Sequence, residues 1–109
     1  MWMNEYQGKA IRTANHGLTG LQAKCYAGLK LAGEAGEVAD LIGKHLGQGH
    51  ELDDTEIVKE LGDIFWTIAY AAHVFGFDLS TVAQANLDKL ERRYPNGFDV
   101  SRSVNREVE

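Results

Sequence analysis

The chain has 109 residues, enough for one domain, and 44% of them are apolar, the share of an ordinary globular protein. A net charge of −5 with no basic run or basic helix excludes a surface built for nucleic acid. The single cysteine, Cys25, excludes an internal disulfide and a cysteine-rich zinc site. There is no apolar run of about 18 residues and no signal-peptide pattern, so a cytoplasmic protein without a membrane partner is expected.

One proline, Pro95, and no period-2 alternation make the chain read as all-α. A first helix is expected from Asn4, in a capping box with Gln7, carrying Tyr6, Ala10 and Ala14 on one face and ending near His16-Gly17. Trp2, just before it, is expected to pack on something. Thr19 with Gln22 forms the capping box of a second helix. Leu29, Leu31, Val38, Leu41 and Ile42 are its stripe, and residues 47–49 end it. Gly28, Gly33 and Gly36 lie inside this helix at about 0.5–1 kcal/mol each relative to alanine. They suit either a close helix crossing or room for a ligand. Asp53 with Glu56 caps a third helix, which runs through Ile57, Leu61, Ile64 and Ile68 to Phe75-Gly76 and should be central. Asp78 or Ser80 caps a fourth, bearing Val82, Ala83, Leu87 and Leu90 and halting at Tyr94-Pro95. Residues 99–109 form a polar tail, either loosely ordered or laid on a partner subunit.

The second and third helices share one device. With Glu34 at zero on a helical wheel, Val38, Leu41 and His45 fall within about 40°, and Glu37 lies about 60° to one side. With Glu60 at zero, Ile64, Thr67 and Ala71 occupy a similar arc, and Asp63 lies about 60° to the same side. Two acidic pairs are thus set into the edges of faces that should be buried. Desolvated like charges are costly. Raised pKa values could neutralise one or two of them, whereas a divalent cation would satisfy all four. Oxygen-only ligands select a hard ion, and magnesium keeps waters and phosphate in its shell. The expectation is a Mg2+ site that handles a phosphorylated small molecule.

The fourth helix repeats the pattern with other chemistry. Relative to Asn86, Lys89 lies about 60° and Arg93 about 20° to one side. Arg93 suits bidentate contact with phosphate and Lys89 a point-charge contact, although cations on a last turn also simply favour the helix dipole.

Glu34-x-x-Glu37, 22 further residues, Glu60-x-x-Asp63 and the later Asn86, Lys89 and Arg93-Tyr94-Pro95 resemble the MazG-like nucleotide pyrophosphohydrolases, within the all-α nucleoside triphosphate pyrophosphatases. The resemblance runs over residues 4–98, so residues 1–98 are taken as the domain. It implies a four-helix protomer assembling into a dimeric helical bundle, a homodimer or a dimer of dimers. It also implies hydrolysis of a nucleoside triphosphate, with dNTPs foremost, to the monophosphate and pyrophosphate. Glu34, Glu37, Glu60 and Asp63 inherit the magnesium role. Asn86, Lys89 and Arg93 inherit phosphate binding. Glu37 or Glu34 would take the proton of the attacking water. Trp66 and Tyr70, on the turns after Asp63, are candidates to hold the base, with Trp2 and His16 as others. Lys30, one turn before Glu34, could reach a phosphate but reads more simply as a solvated lysine.

Two other metal chemistries fit poorly. A di-iron carboxylate bundle needs Glu-x-x-His, which neither Glu37 nor Glu60 begins. His16, His45, His50 and His73 make no zinc pattern. The alternative from another class is a non-catalytic dimeric helical module that binds nucleotide or protein. The retained set of four acids favours hydrolysis.

Overall fold

The computed structural model describes residues 2–106. Residue 1 and the last three residues of the expected tail, 107–109, lie outside the described residues. Among the described residues there are five α-helices and no strand: α1 (Met3–Ile11), α2 (Gly20–Gln48), α3 (Asp54–Val74), α4 (Leu79–Arg93) and α5 (Val100–Val104). The expected four-helix protomer therefore becomes five. The extra helix lies in the segment read as tail, where the Asp99 carboxylate accepts the Arg102 N–H at 3.1 Å and caps a single turn. Among the described residues no helix is long and apolar enough to cross a membrane.

The chain divides into two compact units, one ending at Leu79 and the other beginning at Ser80. In the first, α1 and α2 both pack on α3, which is the central helix of the unit as expected. Its core is made mostly of small side chains: Ala10, Ala27, Thr67, Ala69 and Ala72 are buried together with Tyr70 and Leu79.

The first helix departs from expectation at both ends. Trp2 stands at its N-cap without a side-chain cap bond, and Asn4 lies inside the helix rather than at its cap. Gln7 is instead buried and works over long range. Its Nε2 donates to the Ala69 and Phe77 carbonyls at 3.1 Å each, and its Oε1 accepts the Leu79 N–H at 2.9 Å. One amide thus ties α1 to α3 and accepts the N–H of Leu79, the first residue of α4. The helix ends at Ile11, short of His16-Gly17, because its final carbonyls find other donors. The Thr13 hydroxyl donates to Ala10 O at 2.7 Å, and the Trp66 indole N–H reaches the same carbonyl at 3.1 Å.

In α2 the capping box is reciprocal: Gln22 N–H donates to Thr19 Oγ1 at 3.2 Å and Thr19 N–H to Gln22 Oε1 at 3.0 Å. Gly49, with φ +73°, ends the helix in the left-handed conformation that glycine adopts without strain. Asp53 caps α3 through Thr55 N–H at 2.9 Å rather than through Glu56. The expected apolar stripe of α2 is covered only in part by this chain: Val38 and Leu41 are half-buried, whereas Leu29 stays 75% exposed and Leu31 and Ile42 are also exposed. Leu21, Val58 and Leu61 on α2 and α3 are exposed as well. A Cβ added at Gly28, Gly33 or Gly36 would meet nothing within 4 Å. These glycines serve no close helix crossing within the chain.

Candidate functional site

Crossing α2 over α3 brings three of the four predicted acids together. One carboxylate oxygen from each of Glu34, Glu37 and Glu60 lies within 4.8 Å of the others. Glu34 is buried at 8% exposure, Glu60 is half-buried and Glu37 is exposed. The Glu37 and Glu60 carboxyls lie close enough to interact directly. That interaction, burial of Glu60 and the charges of Glu37, Asp63 and Glu34 raise the Glu60 pKa above the ordinary 4.5. Even so, Glu34 Oε2 and Glu60 Oε2 are out of contact with solvent and have no hydrogen-bond partner. A buried acceptor left unmade costs about 1–3 kcal/mol. The cluster is therefore unsatisfied at two identified atoms.

Asp63, one turn along α3 from Glu60, is exposed and is not one of the trio. Its charge still acts on the site, as one of the influences that raise Glu60 and Lys30. Burial, and after it the Asp63 charge, raises the Tyr6 phenol. An all-oxygen, anionic donor set with two unsatisfied buried oxygens fits a hard divalent cation better than it fits a proton or a lysine alone.

Lys30 corrects the sequence reading. It is not simply solvated: its ammonium lies 2.9 Å from Glu34 Oε1, one turn on, and the hydrogen bond and charge of Glu34 raise its pKa. The signal was an i,i+4 lysine–glutamate pair whose glutamate sits on the apolar stripe.

Trp66 and Tyr70 stack nearly parallel, 5.1 Å between centroids and 7° apart, with Tyr26 edge-on to Tyr70 at 5.8 Å. Tyr70 is 3% exposed, so within this chain it is a core ring, whereas Trp66 is half-buried. The Trp66 indole N–H is shared between Ala10 O and Thr13 Oγ1, 2.9 Å from the hydroxyl, which fixes its ring. Trp2, expected to pack, is 79% exposed, and His16 is exposed. The remaining histidines make no cluster with the acids; His45 Nδ1 bonds His50 O at 2.7 Å and closes the loop after α2.

In the second unit Asn86 is exposed on α4, and Lys89 and Arg93 are half-buried. Sequence reading missed Arg102. Its guanidinium donates to Arg93 O at 2.7 Å and Arg92 O at 3.0 Å, closing the carbonyl end of the helix that carries Lys89 and Arg93. Tyr94 stacks on Phe98 at 5.6 Å and fixes the turn between α4 and α5. Only the Asp99 cap signal hinted that this stretch folds.

The profile of the MazG nucleotide pyrophosphohydrolase domain matches residues 25–98, a span that contains every acid of the cluster. Among curated proteins, the Gene 37 protein of Mycobacterium phage L5 is 34% identical over 105 residues, covering 89% of this chain and 92% of its own length. No solved structure matches. An acidic cluster of this kind, inside the matched span of an all-α chain, places the protein in the MazG nucleotide pyrophosphohydrolase family.

Proposed function

We propose that the protein hydrolyses nucleoside triphosphates, deoxynucleotides foremost, to the monophosphate and pyrophosphate with Mg2+ as cofactor, in the cytoplasm and as a means of nucleotide-pool control. The observation that carries this reading is the pair of buried, unpartnered oxygens, Glu34 Oε2 and Glu60 Oε2, in a cluster made of carboxylates alone. Glu34, Glu37 and Glu60 would hold the ion, with Asp63 at the rim. Magnesium, when bound, neutralises triphosphate charge and makes the attacked phosphorus more electrophilic.

The chain's own residues supply the rest. Glu37, the exposed member of the trio, takes the proton of the attacking water, while Glu34, buried against Lys30, holds position. Water adds to the α-phosphorus, the bond to the bridging oxygen breaks, and pyrophosphate leaves with that oxygen. Asn86, Lys89 and Arg93 bind the phosphates, Arg93 through its planar fork. Trp66, its ring fixed by Ala10 and Thr13 and backed by Tyr70, contacts the base. The exposed leucines of α2 and α3 support a homodimer or a dimer of dimers, since so many apolar side chains on one small unit mark an interaction surface. With a net charge of −5, nucleic acid is not the partner.

The test is product identity. A panel of standard and modified dNTPs and NTPs is incubated with magnesium or with chelator, and the products are read by ³¹P NMR. Pyrophosphate with the monophosphate, formed only with magnesium and lost in Glu37→Ala, is the expected result. Orthophosphate with the diphosphate would overturn the reaction assigned. No cleavage by a chain that still binds nucleotide would favour a binding module.

A further inference from the structure

Lys30 sits where a metal ion's charge is needed. Its ammonium is 2.9 Å from Glu34 Oε1, and the Glu34 side chain is only 10% exposed. Two other helical pairs of the same i,i+4 spacing, Lys9–Glu5 at 3.4 Å and Lys44–Asp40 at 2.9 Å, use carboxylates that are 49% and 64% exposed. Those are solvated surface pairs of small consequence. The Lys30 pair differs because its carboxylate is buried, because the carboxylate's second oxygen has no partner, and because it belongs to the acidic trio. A buried carboxylate needs a counter-charge at all times, and Lys30 is the cation that supplies it.

We propose that Lys30 is a built-in counter-ion that occupies Glu34 in the metal-free protein and is displaced when a divalent cation binds the trio. This rests on the metal site of the proposed function and adds a residue that acts against the metal rather than for it. A cation moving in beside Glu34 is repelled by the ammonium and must break its hydrogen bond. Lys30 therefore keeps the empty site folded and sets a threshold on ion affinity. A residue that merely oriented Glu34 for the metal would have the opposite effect, since its loss would weaken binding.

The test titrates Mn2+ into the full chain by calorimetry, comparing wild type with Lys30→Met, which keeps the stem and removes the charge. Lys30→Arg restores a cation, and Lys44→Met removes one from a pair outside the cluster. Expected are Mn2+ binding about tenfold tighter in Lys30→Met, affinity near wild type in the other two, and a lower melting temperature for metal-free Lys30→Met. Equal or weaker binding by Lys30→Met, with wild type still binding, would overturn the role of Lys30 alone. Failure of wild type to bind Mn2+ would overturn the metal site as well. A second measurement needs no variant: NMR of lysine side-chain amines in wild type. The Lys30 ammonium should show slowed proton exchange without metal and lose it on adding Mg2+. An unchanged Lys30 signal at saturating Mg2+ would contradict displacement.

Discussion

Glu34 and Glu60, on α2 and α3, each hold a carboxylate oxygen out of solvent without a hydrogen-bond partner, while on α4 Asn86 is exposed, Lys89 and Arg93 are half-buried and the last carbonyls are closed by Arg102. The acidic region is incomplete as folded, and the cationic one is complete. Cations on a last helical turn are favoured by the helix dipole without a ligand and indicate little on their own. Buried anions with open valences lower the stability of the empty fold, and a chain that keeps them has a reason outside the fold. The acids therefore carry the functional argument, and the cations of α4 gain theirs from membership in the family.

The largest expected effect breaks that contrast on the acidic side. Glu60→Gln should reduce hydrolysis on the order of a thousandfold, measured as pyrophosphate release, while the metal-free protein melts higher than wild type. Glu60 carries a raised pKa, so its contribution to the metal-free fold is present below 4.5 and is lost as pH rises through the raised value. Melting temperature of the metal-free wild type should fall across that window, and that of Glu60→Gln should not. Metal affinity runs the other way. Protons compete with the metal for Glu60, so affinity should drop on acidification through the same raised value.

Gln7→Ala comes next and tests the frame. It leaves the Ala69 and Phe77 carbonyls and the Leu79 N–H without their partner, at about 3 kcal/mol of stability in chemical denaturation. An unchanged midpoint would mean that water replaces the amide. On the cationic side, Arg93→Ala should raise KM about tenfold and leave Mn2+ affinity unchanged; a change in metal affinity would show that the two sets of residues are not separate in role. The smallest effect belongs to Arg102→Ala. It removes two exposed bonds to the end of α4, should cost about 1 kcal/mol, and should speed amide exchange locally at residues 94–98.

Local chemistry was legible where one bond decides it. The Thr19–Gln22 box, Gly49 at the end of α2 and the halt before Pro95 are each set by neighbours within a few residues. The acidic pairs were legible because wheel geometry depends only on spacing, and Glu34, Glu37 and Glu60 do converge. What escaped depends on partners far along the chain. Gln7 satisfies a local capping pattern, but burial gives it carbonyls 62 and 70 residues away. The Ala10 carbonyl at the end of α1 is shared with Trp66, 56 residues away. Lys30 looked solvated because its pairing matters only once Glu34 is buried. The stripe of α2 was read correctly as apolar, yet Leu29, Leu31 and Ile42 stay exposed, because periodicity names a face to be covered without saying which chain covers it.

The most direct measurement is calorimetric titration of Mn2+ into the wild-type chain, repeated in two buffers of different ionisation heat. The account predicts saturable binding, with proton release that grows as pH falls toward the raised pKa of Glu60 and is lost in Glu60→Gln. Absence of binding, together with hydrolysis that survives chelator, would contradict the claim that these carboxylates exist to hold a metal ion.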